Sequence, residues 1–520
     1  LKYITLLLRR ILLKFLAFLG QKAILIWGLL LFTLLGVSSI LVRSNMPMDG
    51  SELSNIHLNG WAFFASLVIF VCLIFLLLRL LKYINETTLF IFGLIFYILV
   101  GVYLIFHQND VIRHDALAVL EAAKALNNGD IQSLTDISGY LHKYPHQLGL
   151  VSFERLILTV FGESNIKVFF IINLILSIID NFFLWKITKR VFKKESISKL
   201  VIILSFAFLS HLFNILFVYG LTFGLFFAIV GLFFLQIYFE KKTWSMMMLS
   251  IIFLTLSDFI RNNYIILIVT IFIVLVLDLL QHKSWKNLAF IALLALSIYG
   301  SNNLVSYHYK SLANKTNLDG EPKIAWVAMG LNDTPLYNRV AGWYDAYVEN
   351  VYNEYSGNSE KIEEVSKKQI ATRTEYMVEH PQYTFNFFKN KFLSTWTDSL
   401  FESIWSGPVI KMPVEGQKIR GQLMSSIYEG KTLYKVVYYF SALLLAVIYV
   451  AVLLAIFIQL FDKPKDGLFT LIPIIYLSGG FIFHLIWETK SQYVYPYVYL
   501  IIPLAAVGIS YVAERLKIFN

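Results

Sequence analysis

Residues 166–194 read IKVFFIINLILSIIDNFFLWKITKRVFKK. A largely apolar run of about twenty residues without strand-like alternation is long enough to cross a bilayer as a helix. It ends in Lys186, Lys189, Arg190, Lys193 and Lys194, the densest basic run in the chain. Such clusters stay on the cytoplasmic side. This one stretch therefore sets both a fold class and a direction.

The composition carries the same message along the whole chain. Of 520 residues, 58% are hydrophobic, 16% aromatic and 15% charged, and the mean hydropathy is +0.66. Soluble domains carry roughly 25% charged residues. A soluble globular enzyme, a disordered chain and a coiled coil are excluded. Pro and Gly are scattered, with no low-complexity tract or short-period repeat. The 44 basic against 34 acidic residues are read as the positive-inside bias of loops, not as a nucleic-acid surface. Cys72 is the only cysteine, so a disulfide framework and a cysteine-based zinc site are excluded. No cleavable signal peptide is expected.

Orienting each apolar run by its Lys and Arg gives an all-α polytopic membrane protein of about 12 transmembrane helices. Residues 1–22, with Lys2, Arg9, Arg10, Lys14 and Lys22, read as a cytoplasmic interfacial helix. Spans are expected at 23–42, 61–81, 88–106, 166–187, 199–218, 220–240, 244–259, 262–281, 287–303, 433–461, 466–486 and 494–514. Inner loops are marked by Arg79 and Lys82, by Lys241 and Lys242, by His282, Lys283 and Lys286, and by Lys463 and Lys465. Arg515 and Lys517 mark the C-terminal tail, so both termini are cytoplasmic and the site residues face outside the cell membrane. The chain divides into 1–106, the interfacial helix and three spans; 107–165, a first large outer loop; 166–303, a transmembrane core; 304–431, a small, mostly helical outer domain; and 432–520, the last spans with a polar outer turn.

The first outer loop holds four basic residues, Arg113, Lys124, Lys143 and Arg155, among seven acids. Residues 112–126 read as a helix with Ala116, Val119, Leu120, Ala123 and Leu126 on one face, stopped by Asn127, Asn128 and Gly129. Asp115 sits in its first turn, where the macrodipole favours an acid. Asp110 and Asp115 lie just beyond a span, at the membrane surface. Leu148–Phe161 reads as an interfacial helix entered through Tyr144, Pro145, His146 and Gln147. Arg261, beside Asn262 and Asn263, falls between two apolar runs, where a cation is costly unless it has a function. The last outer turn packs Glu488, Lys490, Gln492 and Tyr493 into six residues. In 304–431, Trp326, Trp343, Tyr344, Trp396 and Trp405 stand out, and 360–380 reads as a helix with Ile362, Val365, Ile370 and Met377 roughly on one face.

These pieces resemble the C-type-fold membrane glycosyltransferases that use polyprenyl-phosphate sugars, such as the protein O-mannosyltransferases and the aminoarabinose transferase of lipid A. Asp115 with Tyr140-Leu141 and Tyr144-Pro145-His146-Gln147-Leu148-Gly149 is similar to a bacterial subgroup associated with cell-surface polysaccharides, the cell wall and teichoic acid among them. So are Ala325-Trp326-Val327-Ala328-Met329-Gly330 and Phe481-Ile482-Phe483, Trp487-Glu488 and Lys490-Ser491-Gln492-Tyr493. The likeness runs from about 88 to 514, and the two spans before it look like an addition.

The resemblance implies a polyprenyl-phosphate-linked sugar donor, a surface-glycan acceptor, the membrane lipid as setting and no nucleic acid. Asp115 is the implied catalytic base. Lys490 and Arg261 would hold the donor phosphate. Glu488, Gln492, Tyr493, Asp110, Tyr144, His146, Gln147 and Trp326 would meet donor or acceptor sugar. The loop lacks a strict acidic pair, so no cofactor is implied and a divalent metal is unsupported. Two other functions fit a multi-span, outward-facing protein. A polysaccharide polymerase or ligase would carry more basic outer loops, and a lipid-linked glycan flippase would carry broken helices near the midplane.

Overall fold

The computed structural model describes residues 2–333, 340–408, 421–461 and 467–518. It is 78% helical with almost no sheet, as expected where a backbone must satisfy its own hydrogen bonds. Among the described residues nine helices are long and apolar enough to cross a membrane, or up to eleven if two bent pairs each count as one. The chain is thus built as a multi-pass membrane protein. The segment expected to span at 244–259 is the helix Trp244–Ile260, which at 17 residues is short for a crossing.

The basic clusters gather at one end of the bundle. Lys189 pairs with Glu86 at 2.7 Å, Lys242 with Asp278 at 2.5 Å, and Lys194 with Glu514. Three helices stop there on a lysine in left-handed conformation, Lys193, Lys242 and Lys283, where a cation faces the negative end of the helix dipole. Lys463 and Lys465 lie outside the described residues.

Four features depart from the sequence reading. The expected interfacial helix is continuous with the first span as one helix, Lys2–Leu41, because no proline interrupts 1–41. The expected spans at 199–218 and 494–514 are bent by 49° and 51°. Pro496 lies inside one arm and Pro503 starts the next, and neither can donate to the preceding turn. Between the first two spans an antiparallel hairpin forms, Val42–Asn45 with Asn55–Leu58. Finally, 304–431 is only in part a separate body. Ile324–Gly330, Tyr347–Glu354 and Ser359–Glu379 pack around Ala325, Met329, Val351, Tyr352 and Ile362. Helix Pro381–Trp396 instead carries Trp396 into the bundle core with Phe481 and Tyr497. Tyr449 donates to the Trp396 carbonyl at 3.1 Å.

Small residues let these helices touch. A Cβ on Gly508 would lie 1.9 Å from the Ala451 carbonyl oxygen, where helices Thr432–Phe461 and Ile502–Arg515 cross. Gly508→Ala is expected to destabilise the protein by about 1–3 kcal/mol. Gly300→Ala, where a Cβ meets nothing within 4 Å, is expected to leave stability unchanged or slightly raised. Thermal unfolding in detergent compares the two.

Candidate functional site

Asp115 opens the helix His114–Asn127, which buries Ala116, Val119, Leu120, Ala123 and Leu126. The approach to that helix is bent: Asp110 and His114 have φ of 57° and 52°. Trp405 holds the bend. His114 stacks on its ring at 5.6 Å and 2°, the Arg113 guanidinium lies 4.8 Å over it, and its indole donates to the Ser51 carbonyl at 3.1 Å. The Asp115 carboxyl is left open to solvent inside a recess crowded by protein. Burial raises its pKa above the usual carboxylate range. Lys490 opposes the rise and Glu52 adds to it.

One wall of the recess is a charge cluster built from three distant segments. Lys490 donates to Glu52 at 2.8 Å and lies 5.3 Å over the Tyr344 ring. Burial alone would lower its pKa, but Glu52, Glu488 and Glu402 outweigh that and keep it charged. Burial also pushes Glu488 to about 7, with Lys490 opposing. Burial raises Glu402 to about 8 as well, again with Lys490 opposing. The Ser491 hydroxyl lies 2.6 Å from Asp398 and 2.9 Å from Glu402. It has one proton to donate, and two carboxyls face it. Phe401 and Glu402 adopt φ of 49° and 57°, backbone that ordinary residues take only under constraint.

The other wall is aromatic and ends in a cation. Tyr140, Tyr144, Tyr219, Tyr344 and Tyr493 all lie within electrostatic reach of Asp115. Gln147 donates to the Tyr219 hydroxyl at 2.8 Å. Arg261 donates to the Tyr219 carbonyl at 2.7 Å and lies 4.9 Å over its ring. Among the described residues Arg261 has no carboxylate partner within salt-bridge distance. Crowding, Arg261 and Lys323 together lower His146 to about 4, so it is neutral. Trp326 packs 5.8 Å from His146, 6.2 Å from Tyr144 and 6.2 Å from Trp487. A Cβ on Gly149 would lie 1.7 Å from the Phe259 carbonyl oxygen, so glycine is required for helix Leu148–Phe161 to reach the turn bearing Arg261.

The residues singled out in sequence thus fall into two joined halves. Asp115, Glu488, Lys490 and Tyr493 share one; Arg261, His146, Gln147 and Trp326 share the other; Tyr144 and Tyr219 lie between them. Gln492 joins through its backbone N–H, which donates to Glu402 at 3.3 Å. Asp110 turns elsewhere and pairs with Lys167 at 3.3 Å. Glu52, Asp398, Glu402, Tyr219 and Lys391 were not legible as site residues. Lys391 is buried and donates to the carbonyls of Gly330, Leu485 and Trp487 at 2.6, 3.0 and 2.8 Å. Burial lowers it to about 7, with Glu488 opposing. The acids Glu52 and Glu402 stand in loops between apolar segments, which is the one signal that would have raised them. Among the described residues no three His, Cys, Asp or Glu side chains are grouped to hold a metal ion.

Comparison of the chain with protein families, with curated proteins and with solved structures found no match.

The electrostatics fix signs that a titration can read. Infrared titration of labelled aspartate, with Asp115→Asn as the blank, is expected to place Asp115 above an ordinary aspartate. Glu52→Gln removes a like charge and lowers the midpoint; Lys490→Met removes the opposing cation and raises it.

Proposed function

We propose that the chain is a C-type-fold membrane glycosyltransferase that moves a sugar from a polyprenyl-phosphate donor to a cell-surface glycan. In this reading the basic end is cytoplasmic, both termini lie there, and Asp115 works at the outer face. The short helix Trp244–Ile260 and the two bent pairs complete twelve crossings. One observation carries the reading: a solvent-open carboxyl with a raised pKa faces an aromatic wall, and a guanidinium without a carboxylate partner lies one tyrosine away.

The chemistry needs those parts. A sugar on a lipid phosphate leaves as a phosphate monoester, which departs without a general acid. The acceptor hydroxyl needs a base, and the leaving phosphate needs fixed positive charge. Asp115 takes the acceptor proton behind the anomeric carbon, so the configuration inverts. Arg261 presents a fork that matches phosphate oxygens, with Lys323 beside it. Lys490 holds Glu52 and faces Glu488 and Glu402. Its charge serves the donor phosphate only after exchanging that partner, so Arg261 is the first grip. Tyr144, Trp326, Tyr344 and Tyr493 supply ring faces for sugars, and Glu488, Gln492, His146 and Gln147 supply polar atoms. The isoprenoid tail has an apolar groove of about 470 Å³ lined by Phe92, Phe96, Phe206, Val436 and Phe440 among others.

A flippase for a lipid-linked glycan is the second reading, favoured by the two bent helix pairs of 49° and 51°, since broken helices are the usual sign of transport sites.

Membranes bearing the protein are expected to transfer label from one of a panel of undecaprenyl-phosphate sugars to a surface glycan. Asp115→Asn is expected to lose at least about 100-fold. Arg261→Gln is expected to raise the donor KM while leaving the acid limb of the pH profile in place. Near-normal transfer by Asp115→Asn removes that residue from the mechanism. No transfer from any donor, with movement of a lipid-linked oligosaccharide across proteoliposomes, establishes the flippase instead.

A further inference from the structure

At the basic end of the bundle a cavity of about 300 Å³ opens between three helices. Its charged lining is Lys82, just past helix Trp61–Leu81; Lys194, Glu195 and Lys199, at the start of helix Glu195–Ala207; and Glu514, near the end of helix Ile502–Arg515. Lys199 bonds Glu195 at 2.8 Å, and Lys194 pairs with Glu514. Among the described residues Lys82 has no carboxylate within salt-bridge distance. Three ammonium groups therefore face two carboxylates, a surplus of one positive charge. Nor do the pairings exhaust the lysines, since an ammonium has three N–H donors and each carboxylate contact uses one.

The bias of inner loops toward Lys and Arg accounts for exposed lysines such as Lys193, but not for this arrangement. Lys199 lies inside its helix and is only 8% exposed, where an ammonium needs opposite charge and hydrogen bonds in place of water. The cavity also has an apolar side. Leu78 lines it and is buried, and the same helix exposes Leu73, Leu76, Leu77 and Leu80. Lysines are thus set into a cleft whose neighbouring surface suits hydrocarbon.

That combination selects the ligand. Basic cavities between spanning helices at the cytoplasmic end suit lipid headgroups. A phosphodiester brings one negative charge, which the surplus cation neutralises; a phosphate monoester brings nearly two, and a zwitterionic headgroup leaves the surplus in place. We propose that this cavity binds the phosphodiester headgroup of an anionic membrane lipid, such as phosphatidylglycerol. Lys82, Lys194 and Lys199 donate to the phosphate oxygens, and the acyl chains lie along the leucines of helix Trp61–Leu81. The lipid closes a thin joint. This helix is the least buried of the nine crossing helices, with 11% of its crossing stretch inside the protein. A phosphate shared by Lys82 and Lys199 ties it to helix Glu195–Ala207, an arm of one bent pair. Lys194 with Glu514, and Ser196 with Ser510 at 2.9 Å, already tie that arm to Ile502–Arg515, an arm of the other. The site stands independently of the transferase reading.

Thermal unfolding of the delipidated full chain in detergent tests it. The additions are phosphatidylglycerol, phosphatidylcholine with the same acyl chains, and inorganic phosphate. The midpoint is expected to rise saturably with phosphatidylglycerol and with neither of the others. Lys82→Gln and Lys199→Gln are each expected to raise the half-saturating lipid about five-fold. Lys241→Gln, at an exposed position of the same end but outside the cavity, is expected to leave it unchanged. No rise with phosphatidylglycerol overturns the proposal, as does an equal rise with phosphatidylcholine. An equal rise with inorganic phosphate assigns the cavity to a soluble anion and overturns the lipid. Equal weakening by Lys241→Gln reduces the effect to general surface charge and also overturns it. If Lys199→Gln does not fold, Lys82→Gln, at an exposed position, decides: an undiminished response to phosphatidylglycerol overturns the site.

Discussion

The Lys490 ammonium is nearly inaccessible to solvent, and the Asp115 end of the molecule is organised around keeping it charged. Removing an ammonium from water costs several kcal/mol unless opposite charge and hydrogen bonds replace the hydration. The replacements come from afar. Glu52 arrives from the connection after the first helix, Glu402 from the buried segment after helix Pro381–Trp396, and Glu488 from the same turn. The hairpin Val42–Asn45 with Asn55–Leu58 locks this arrangement: the Ser44 N–H donates to the Thr397 carbonyl at 3.2 Å, and Ser44 pairs with Asp398. The first two spans look like an addition from sequence, yet the connection between them supplies part of the wall beside Asp115.

A second buried ammonium fixes the geometry of the last turn. Lys391 ties carbonyls of Gly330, Leu485 and Trp487, so the end of the Ala325–Gly330 segment and the start of the turn 487–490 are held by one side chain. The backbone adds two bonds, Glu488 to Trp326 at 3.2 Å and Thr489 to Gly342 at 3.0 Å. Two stretches that stand out separately in sequence are therefore one structural unit, and the Trp326 ring is aimed by the same contacts that aim Glu488.

What was legible in the sequence follows from the range of the forces involved. A span is a local property, because lipid demands a continuous apolar helix, so the segments expected to cross are mainly helical over their described residues. The buried face of helix His114–Asn127 was legible for the same reason, since its periodicity is written in adjacent turns. The bends at Phe208 and Ile501 were less so: proline marks one region, while the Phe208 break has no comparable residue. The pairings of Lys490 with Glu52, of Lys391 with three carbonyls and of Ser491 with Asp398 and Glu402 join residues far apart in sequence. No local pattern encodes them.

The charge distribution also constrains where a reaction can run. Asp115 shares its neighbourhood with Glu52, Glu488 and Glu349, and the cation within reach, Lys490, is engaged by carboxylates. A phosphate brought to that side meets like charge at short range in a poorly screened recess. The Arg261 side, with Lys323 and a neutral His146, has the opposite sign. If the proposed transfer is correct, the donor is polarised by the site itself: the phosphate lies toward Arg261, the anomeric carbon between the tyrosines, and the acceptor hydroxyl toward Asp115. That order places base and leaving group on opposite sides of the sugar, as a single inverting displacement requires. Reversing it would set the departing phosphate, as it gains negative charge, against the acids around Asp115. The sign of each wall, more than the identity of any one residue, decides the direction in which such a reaction would proceed.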